Sequence, residues 1–326
     1  MKLATLKHPK SRDGELIVVS KDNKRGARVP QIAPSLREAV ENWSSAEPQL
    51  QKIYKSLNSG SVPGEFTIKE KELHSPLPRS FQWADGSAFL HHVSLVRKAR
   101  NAPLPEDLFT VPLMYQGGSD TFLAPTDDVP QVDFSHGTDF EGEIAVVVDD
   151  VPMGVSAENA LKHIILFMIV NDVSLRGLIP KELAAGFGFF QSKPSSAFGP
   201  FAVTADELGG AWRGGRVHLP LHVRYNNDFF GKANGGEMHF HFGQLISHAA
   251  RTRALGAGTI IGSGTVSNEN PDCGSSCLVE RRMIETINEG KPKTPFMKVG
   301  DTVEIKMLTE KGEDIFGRIY QKVSQI

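Results

Sequence analysis

Glu141 and Glu143 stand two positions apart where a β-branched run over 143–148 begins, and in a strand alternate residues project from one face. Two adjacent carboxylates repel unless a proton or cation lies between them. The spacing therefore suits a hard divalent ion such as Mg²⁺, which takes oxygen ligands. Two solvated acids on a strand edge would read the same way, since surface glutamates are mostly exposed. Asp172 closes a continuous apolar run over 164–170, where a carboxylate either shapes a turn or coordinates an ion. Arg176, four residues on, offers a fixed five-donor cation for a carboxylate or an oxyanion. Lys193 lies in a polar loop, where a lone lysine is ordinarily solvated. Asp85 precedes the pair His91-His92, and histidine is the side chain suited to act as a base near neutral pH. The chain has 11 histidines, so any single one starts from a structural expectation.

Two further features carry less. Gly262-Ser263-Gly264-Thr265 is a Gly-rich loop with hydroxyls, but it lacks the Gly-Lys-Ser/Thr ending of a phosphate loop. Cys273 and Cys277 have no second pair of soft ligands nearby, so zinc is disfavoured and both read as packing residues.

The elements that must position these groups read as mixed and strand-rich. Residues 15–20 are of strand length, and the charged segment 21–26 suits a hairpin turn. Ser35 with Glu38 forms a capping box ahead of the apolar face Leu36, Ala39, Val40 and Trp43. Residues 56–64, rich in Ser, Gly and Pro, read as loop, and 74–79, with two prolines, as a linker. This divides the chain into a small N-terminal domain, 1–75, and a larger one, 76–326. In the larger part, Ser156 with Asn159 opens a helix expected to run through the apolar segment to Asn171-Asp172. Strands are expected over 143–148, 217–225, 259–262, 299–305 and 314–320, and a helix over 242–254. Glycine (31) and proline (20) together exceed their usual share of roughly 12%, which favours a turn-rich β fold.

Composition excludes several classes. With 36 Lys+Arg against 38 Asp+Glu the net charge is −2, which gives no electrostatic case for nucleic acid or an anionic membrane. The longest apolar run, seven residues, is far short of the roughly 20 that a membrane helix needs. The first residues show no secretory h-region, and two cysteines do not make a disulfide scaffold. A cytoplasmic location is the expectation.

Together the motifs resemble the fumarylacetoacetate hydrolase family. The match is carried by Asp85-x₆-His92, Tyr115-x-Gly117, Glu141-Gly142-Glu143 and Asn171-Asp172-Val173-Ser174-Leu175-Arg176. It continues through Ser192-Lys193 with Phe198-Gly199-Pro200 and Gly262-Ser263-Gly264-Thr265, in order from about residue 80 to the C-terminus. The resemblance implies an α+β, β-rich fold: a fumarylacetoacetase-type mixed β-roll behind a small N-terminal α+β domain, usually a homodimer. It places one Mg²⁺ or Ca²⁺ per site on Asp85, Glu141, Glu143 and Asp172. It makes His92 the base and, with a one-residue shift in spacing, Glu280 its orienting acid. Arg176 and Lys193 become the cations facing the substrate, and Tyr115, Thr265 and Ser87 its polar contacts. Eukaryotic fumarylacetoacetases carry tyrosine where this chain has Ser87 and glutamine where it has Ile179.

The activity so implied is metal-dependent hydrolysis of a C–C bond in a 1,3-diketo acid, of fumarylacetoacetate or acylpyruvate type, in aromatic-compound catabolism such as tyrosine degradation. A decarboxylase, isomerase or hydratase would use the same metal-enolate chemistry, and a non-catalytic metal-binding scaffold would keep the fold alone. Residues 85–100, in which a charged run over 97–101 follows His92, are expected to form a mobile lid carrying that histidine. Equal protease protection with and without a bound diacid would count against that.

Overall fold

A computed structural model describes residues 1–60, 62–99, 103 and 106–326. Its largest element is a 12-stranded mixed sheet. Along its main path the strands follow the order Phe66–Thr67, Arg25–Arg28, Ser11–Val19, Lys2–His8, Ala202–Val203, Ile164–Asn171, Gly142–Val148, Ile260–Gly262, Trp83–Gly86 and Met114–Gly117. Neighbours on this path are antiparallel except Ile260–Gly262 and Trp83–Gly86, which pair in parallel. A second, five-stranded sheet runs Asp228–Asn234, Pro220–Tyr225, Thr302–Met307, Ile319–Gln325 and Val129–Gln131. A small α+β portion and a large β-rich core therefore make up the fold.

The central strands are covered on both faces. Ile144, Val146, Phe167 and Ile169 join Leu221, Val223, Val303 and Ile305 of the second sheet in one core. Ala145, Val147, Leu166, Met168 and Val170 pack into another with Leu3, Leu16, Val18 and the helical residues Leu50 and Leu57. This explains the main departure from the sequence reading. The expected helix stops after Ala157–Ala160 and a 3₁₀ turn, Leu161–His163, and residues 164–171 form a strand. A strand buried on both faces loses its polar alternation, and its apolar run then cannot be told from a buried helix by periodicity.

At the N-terminus, Ser35 accepts the Glu38 N–H at 3.3 Å and starts the helix Leu36–Glu41; the Glu38 carboxylate accepts from the Ser35 hydroxyl at 3.2 Å rather than from its backbone N–H, so only half of the expected capping box forms. A second helix, Trp43–Ser59, extends into the segment read as loop, because Tyr54 and Leu57 are buried against the sheet. It ends at Gly60, whose φ of 117° is left-handed; Ser61, in the same expected loop, lies outside the described residues. The expected linker is packed and bonded. Leu73–His74 pairs with Lys2–His8, Ser75 donates its hydroxyl to the Leu123 carbonyl at 2.7 Å, and Thr5 donates to that of Pro76 at 2.6 Å. The 226–228 turn is a hairpin with Asn226 and Asn227 at φ 52° and 69°, the left-handed pair a type I′ turn needs. The helix expected over 242–254 is Phe242–Ala249, and the last strand is Ile319–Gln325 rather than 314–320. The segment expected as a lid contains the helix Leu90–Ala99, and the last two residues of the run that follows His92, Arg100 and Asn101, lie outside the described residues. Among the described residues no helix is long and apolar enough to cross a membrane.

Candidate metal centre and catalytic cleft

The four acids converge because strand ends converge. In the Gly142–Val148 and Ile164–Asn171 pair, Gly142 faces Asn171, and the Asp172 N–H donates to the Glu141 carbonyl at 3.0 Å. Glu141 and Glu143 thus begin one strand where Asp172 leaves its neighbour. Asp85 arrives from the Trp83–Gly86 strand, in register with Gly262. Two glycines make room for it. A Cβ at Gly262 would come within 2.3 Å of Asp85 Oδ1, while Gly264, at φ 77°, turns its N–H to donate to that same oxygen at 3.0 Å.

Asp85, Glu143 and Asp172 are buried, with one ligand atom from each lying within 4.8 Å of the others. Burial, and after it the charge of Asp172, push the Asp85 carboxyl up to about 8. Burial and the neighbouring Asp85 likewise raise Glu143 well above the carboxylate range. Neither carboxylate oxygen of Glu143 meets a hydrogen-bond donor among the described residues. A buried carboxylate with two orphaned oxygens is costly unless protonated or ligating. Three hard oxygen donors facing one point fit Mg²⁺ or Ca²⁺ and poorly fit a soft-ligand metal.

Glu141 stands apart from that triad. Its Oε1 accepts from Arg176 Nη2 at 2.7 Å and its Oε2 from Lys193 Nζ at 2.5 Å. Burial would raise it, but Lys193 and Arg176 outweigh burial and hold it far below the usual range. Lys193 is itself buried, shared between Glu141 and Asp172 at 2.5 Å each. Despite burial, those two acids keep it charged. Asp172 also accepts from Tyr115 Oη and Ser196 Oγ, each at 2.7 Å. The tyrosine expected to meet substrate is therefore engaged with an acid of the centre.

His92 lies in the first turn of Leu90–Ala99, and its Nδ1 is 2.9 Å from Oε2 of Glu280. Glu280, 1% exposed, sits in the first turn of the helix Leu278–Glu289, so two helix starts hold the pair. The sequence reading of 274–280 contains no helix, yet that helix supplies the acid. A cleft of about 440 Å³ contains His92, Arg176, Lys193 and the acids Asp85, Glu141 and Glu143 in its lining, with Ser87, Tyr115 and Thr265 also on its wall.

Two residues with no role in the sequence reading support the centre. Asp139 accepts Arg176 Nε at 2.8 Å and the N–H groups of Leu278 and Val279 at 2.7 and 2.9 Å. It binds the guanidinium to the start of the Glu280 helix. Its signal was available, since Asp139, Glu141 and Glu143 are spaced at i, i+2, i+4. Ser196, by contrast, has no local signature.

Comparison with known proteins agrees with this geometry. Residues 82–324 match the model of the fumarylacetoacetate (FAA) hydrolase C-terminal domain, and residues 1–79 match that of fumarylacetoacetase N-terminal domain 2. The chain is 27% identical over 233 residues to 2,4-didehydro-3-deoxy-L-rhamnonate hydrolase of Sphingomonas sp. (strain SKA58), covering 67% of this chain and 71% of that one. It is 23% identical to the oxaloacetate tautomerase YisK of Bacillus subtilis (strain 168), covering 90% and 89%. In structure it resembles the maleylpyruvate hydrolase of Sphingobium sp. SYK-6, with a TM-score of 0.68 at 17% identity over the whole of both chains. The chain belongs to the fumarylacetoacetate hydrolase family.

Proposed function

Given that membership, we propose that the chain is a divalent-metal-dependent enzyme of 1,3-diketo acids and that its reaction is hydrolytic cleavage of a C–C bond. The observation that carries this is the His92–Glu280 pair, in which a buried acid holds a base on the wall of the cleft that Asp85 and Glu143 also line.

Asp85, Glu143 and Asp172 would hold one Mg²⁺ or Ca²⁺, with Glu141 beside them anchoring Arg176 and Lys193. When bound, such an ion polarises keto oxygens and favours enolate charge. The remaining work falls to the chain. With its Nδ1 proton donated to Glu280, His92 keeps the Nε2 lone pair free to take a proton from water. The hydroxide adds to the acyl carbonyl. Arg176 and the third Lys193 N–H supply positive charge near the developing oxyanion. Its collapse breaks the C–C bond, and the leaving carbon takes a proton from Lys193 or water. Tyr115 and Ser196 orient Asp172, while Ser87 and Thr265 offer hydroxyls to the substrate.

The test is a spectrophotometric assay of purified protein with fumarylpyruvate, acetylpyruvate and fumarylacetoacetate, in Mg²⁺ and then in EDTA. Metal-dependent loss of enol-diketone absorbance with two acids recovered is the expected result. No turnover of any of the three, with metal bound, would reject hydrolysis. A tautomerase is the second reading, favoured by the Bacillus relative that spans nine-tenths of both chains. Tautomerisation needs the base and the metal but no attacking water, and oxaloacetate converted with its carbon skeleton intact would select it.

A further inference from the structure

The two cations of the cleft are joined by a segment that one carboxylate closes. After Arg176 the chain forms the helix Ile179–Ala185, ends it at Gly186, whose φ of 80° is left-handed, and returns to Lys193. Glu182, half-buried on that helix, accepts the N–H groups of Phe190, Gln191 and Ser192 at 3.0, 2.6 and 3.2 Å, and the Ser192 hydroxyl besides. Burial would raise its carboxyl, but the Ser192 hydroxyl and the three N–H groups outweigh burial and hold it below the usual range. An ionised carboxylate only accepts hydrogen bonds, which suits a place where four donors meet.

Those donors belong to the three residues immediately before Lys193. The Lys193 N–H in turn donates to the Phe190 carbonyl at 3.4 Å, closing a turn over 190–193. Ser192 is buried and is tied on its other side too, its carbonyl accepting the Leu175 N–H at 2.8 Å one residue before Arg176. Phe189, just ahead of the turn, stands edge-on to Tyr115 with centroids 5.2 Å apart, and its ring centre lies 5.9 Å from Lys193 Nζ. The backbone that Glu182 grips is thus the one from which Lys193 reaches Glu141 and Asp172. Glu182 itself is not among the described residues of the cleft wall, so any effect it has on the reaction passes through a neighbour.

Resting on the role given to Lys193 above, we propose that Glu182 is a positioning residue of the cleft: by binding the 190–192 backbone it holds the Lys193 ammonium at Glu141 and Asp172. Without that carboxylate the four donors must turn to water, and the turn that carries Lys193 shifts with them.

Kinetics of Glu182→Ala, Lys193→Ala and the double variant, with Mg²⁺ and the acid that the protein turns over, test this. Alanine suits a half-buried helical position, and circular dichroism checks the fold. Glu182→Ala is expected to lower kcat about 10²-fold, the loss that a misplaced group brings, with KM changed less than about twofold. In the Lys193→Ala background the same substitution is expected to cost less than about twofold, because the group it positions is gone. Equal losses in the two backgrounds, no loss, or a change in KM alone would overturn the proposal. Acetic anhydride labelling read by mass spectrometry needs no turnover. Lys193, 8% exposed, is expected to be labelled roughly tenfold faster in Glu182→Ala than in the unsubstituted protein, with exposed Lys52 as the reference. An unchanged labelling rate rejects the positioning role. If no diketo acid is turned over, the hydrolytic reading fails and the labelling alone decides the role of Glu182, as it does if the Lys193→Ala proteins do not fold.

Discussion

At the scale of single residues the centre is divided by charge. Lys193 and Arg176 neutralise Glu141, whereas Asp85 and Glu143 make no ion pair among the described residues. For the metal-free protein this sets the sign of a pH effect. A carboxyl raised to about 8, as Asp85 is, keeps its proton in the folded state at pH values where the unfolded chain has lost it. Between roughly pH 4 and 8 the folded state therefore binds more protons, and stability falls as pH rises. Urea midpoints in EDTA are expected to be lower at pH 8 than at pH 5, and Mg²⁺ should shrink the difference by replacing the proton. The His92 pair makes a separate prediction. His92→Ala is expected to lower kcat by about 10²–10⁴-fold. Glu280→Gln should approach that loss, because an amide can donate to Nδ1 and force the proton onto Nε2. Mg²⁺ affinity, measured by calorimetry, should stay unchanged in both variants.

Among the elements, the helix Leu278–Glu289 depends on one carboxylate at its start. Asp139 receives two N–H groups of its first turn and holds Arg176, so one side chain links the strand Thr138–Asp139, the helix and the cation. Asp139→Ala leaves the buried Nε of Arg176 without its carboxylate, with Glu141 its remaining partner, and removes the acceptor of two N–H groups at the helix start. A loss of about 3–5 kcal/mol is expected from the broken buried pair, read from urea denaturation. The same variant should weaken turnover by misplacing Glu280 and Arg176 together.

For the whole molecule, the N-terminal strands and the strands of the site share one sheet. Lys2 pairs with Val203 and Leu3 with Ala202, while Val203 also pairs with Phe167 in the central strand. Both faces of that strand contribute to the two cores. The N-terminal part and the remainder are therefore expected to unfold together. Calorimetry should give a single transition, with calorimetric and van't Hoff enthalpies equal. Two resolved transitions would instead show that the N-terminal part is held independently.

Residue types and their order were enough to identify the family and nearly all of the candidate centre, because the metal ligation and proton transfer proposed for it demand particular side chains. Asp85, Glu143, Asp172, His92 and Lys193 were all legible in this way. Local signals also located the N-cap at Ser35 and the Asn226-Asn227 hairpin, which depend on neighbours in the chain. What the sequence left open depends on distant partners. The strand Ile164–Asn171 read as a helix because burial on both faces erased its alternation. Asp139 gained its role only when a helix start and a guanidinium were folded onto it. Whether Glu141 faces an ion or two cations, and how near Tyr115 and Ser196 come to Asp172, are matters of through-space distance. Only the tertiary structure decides them, because Coulombic and hydrophobic contacts act between groups that the chain itself keeps far apart.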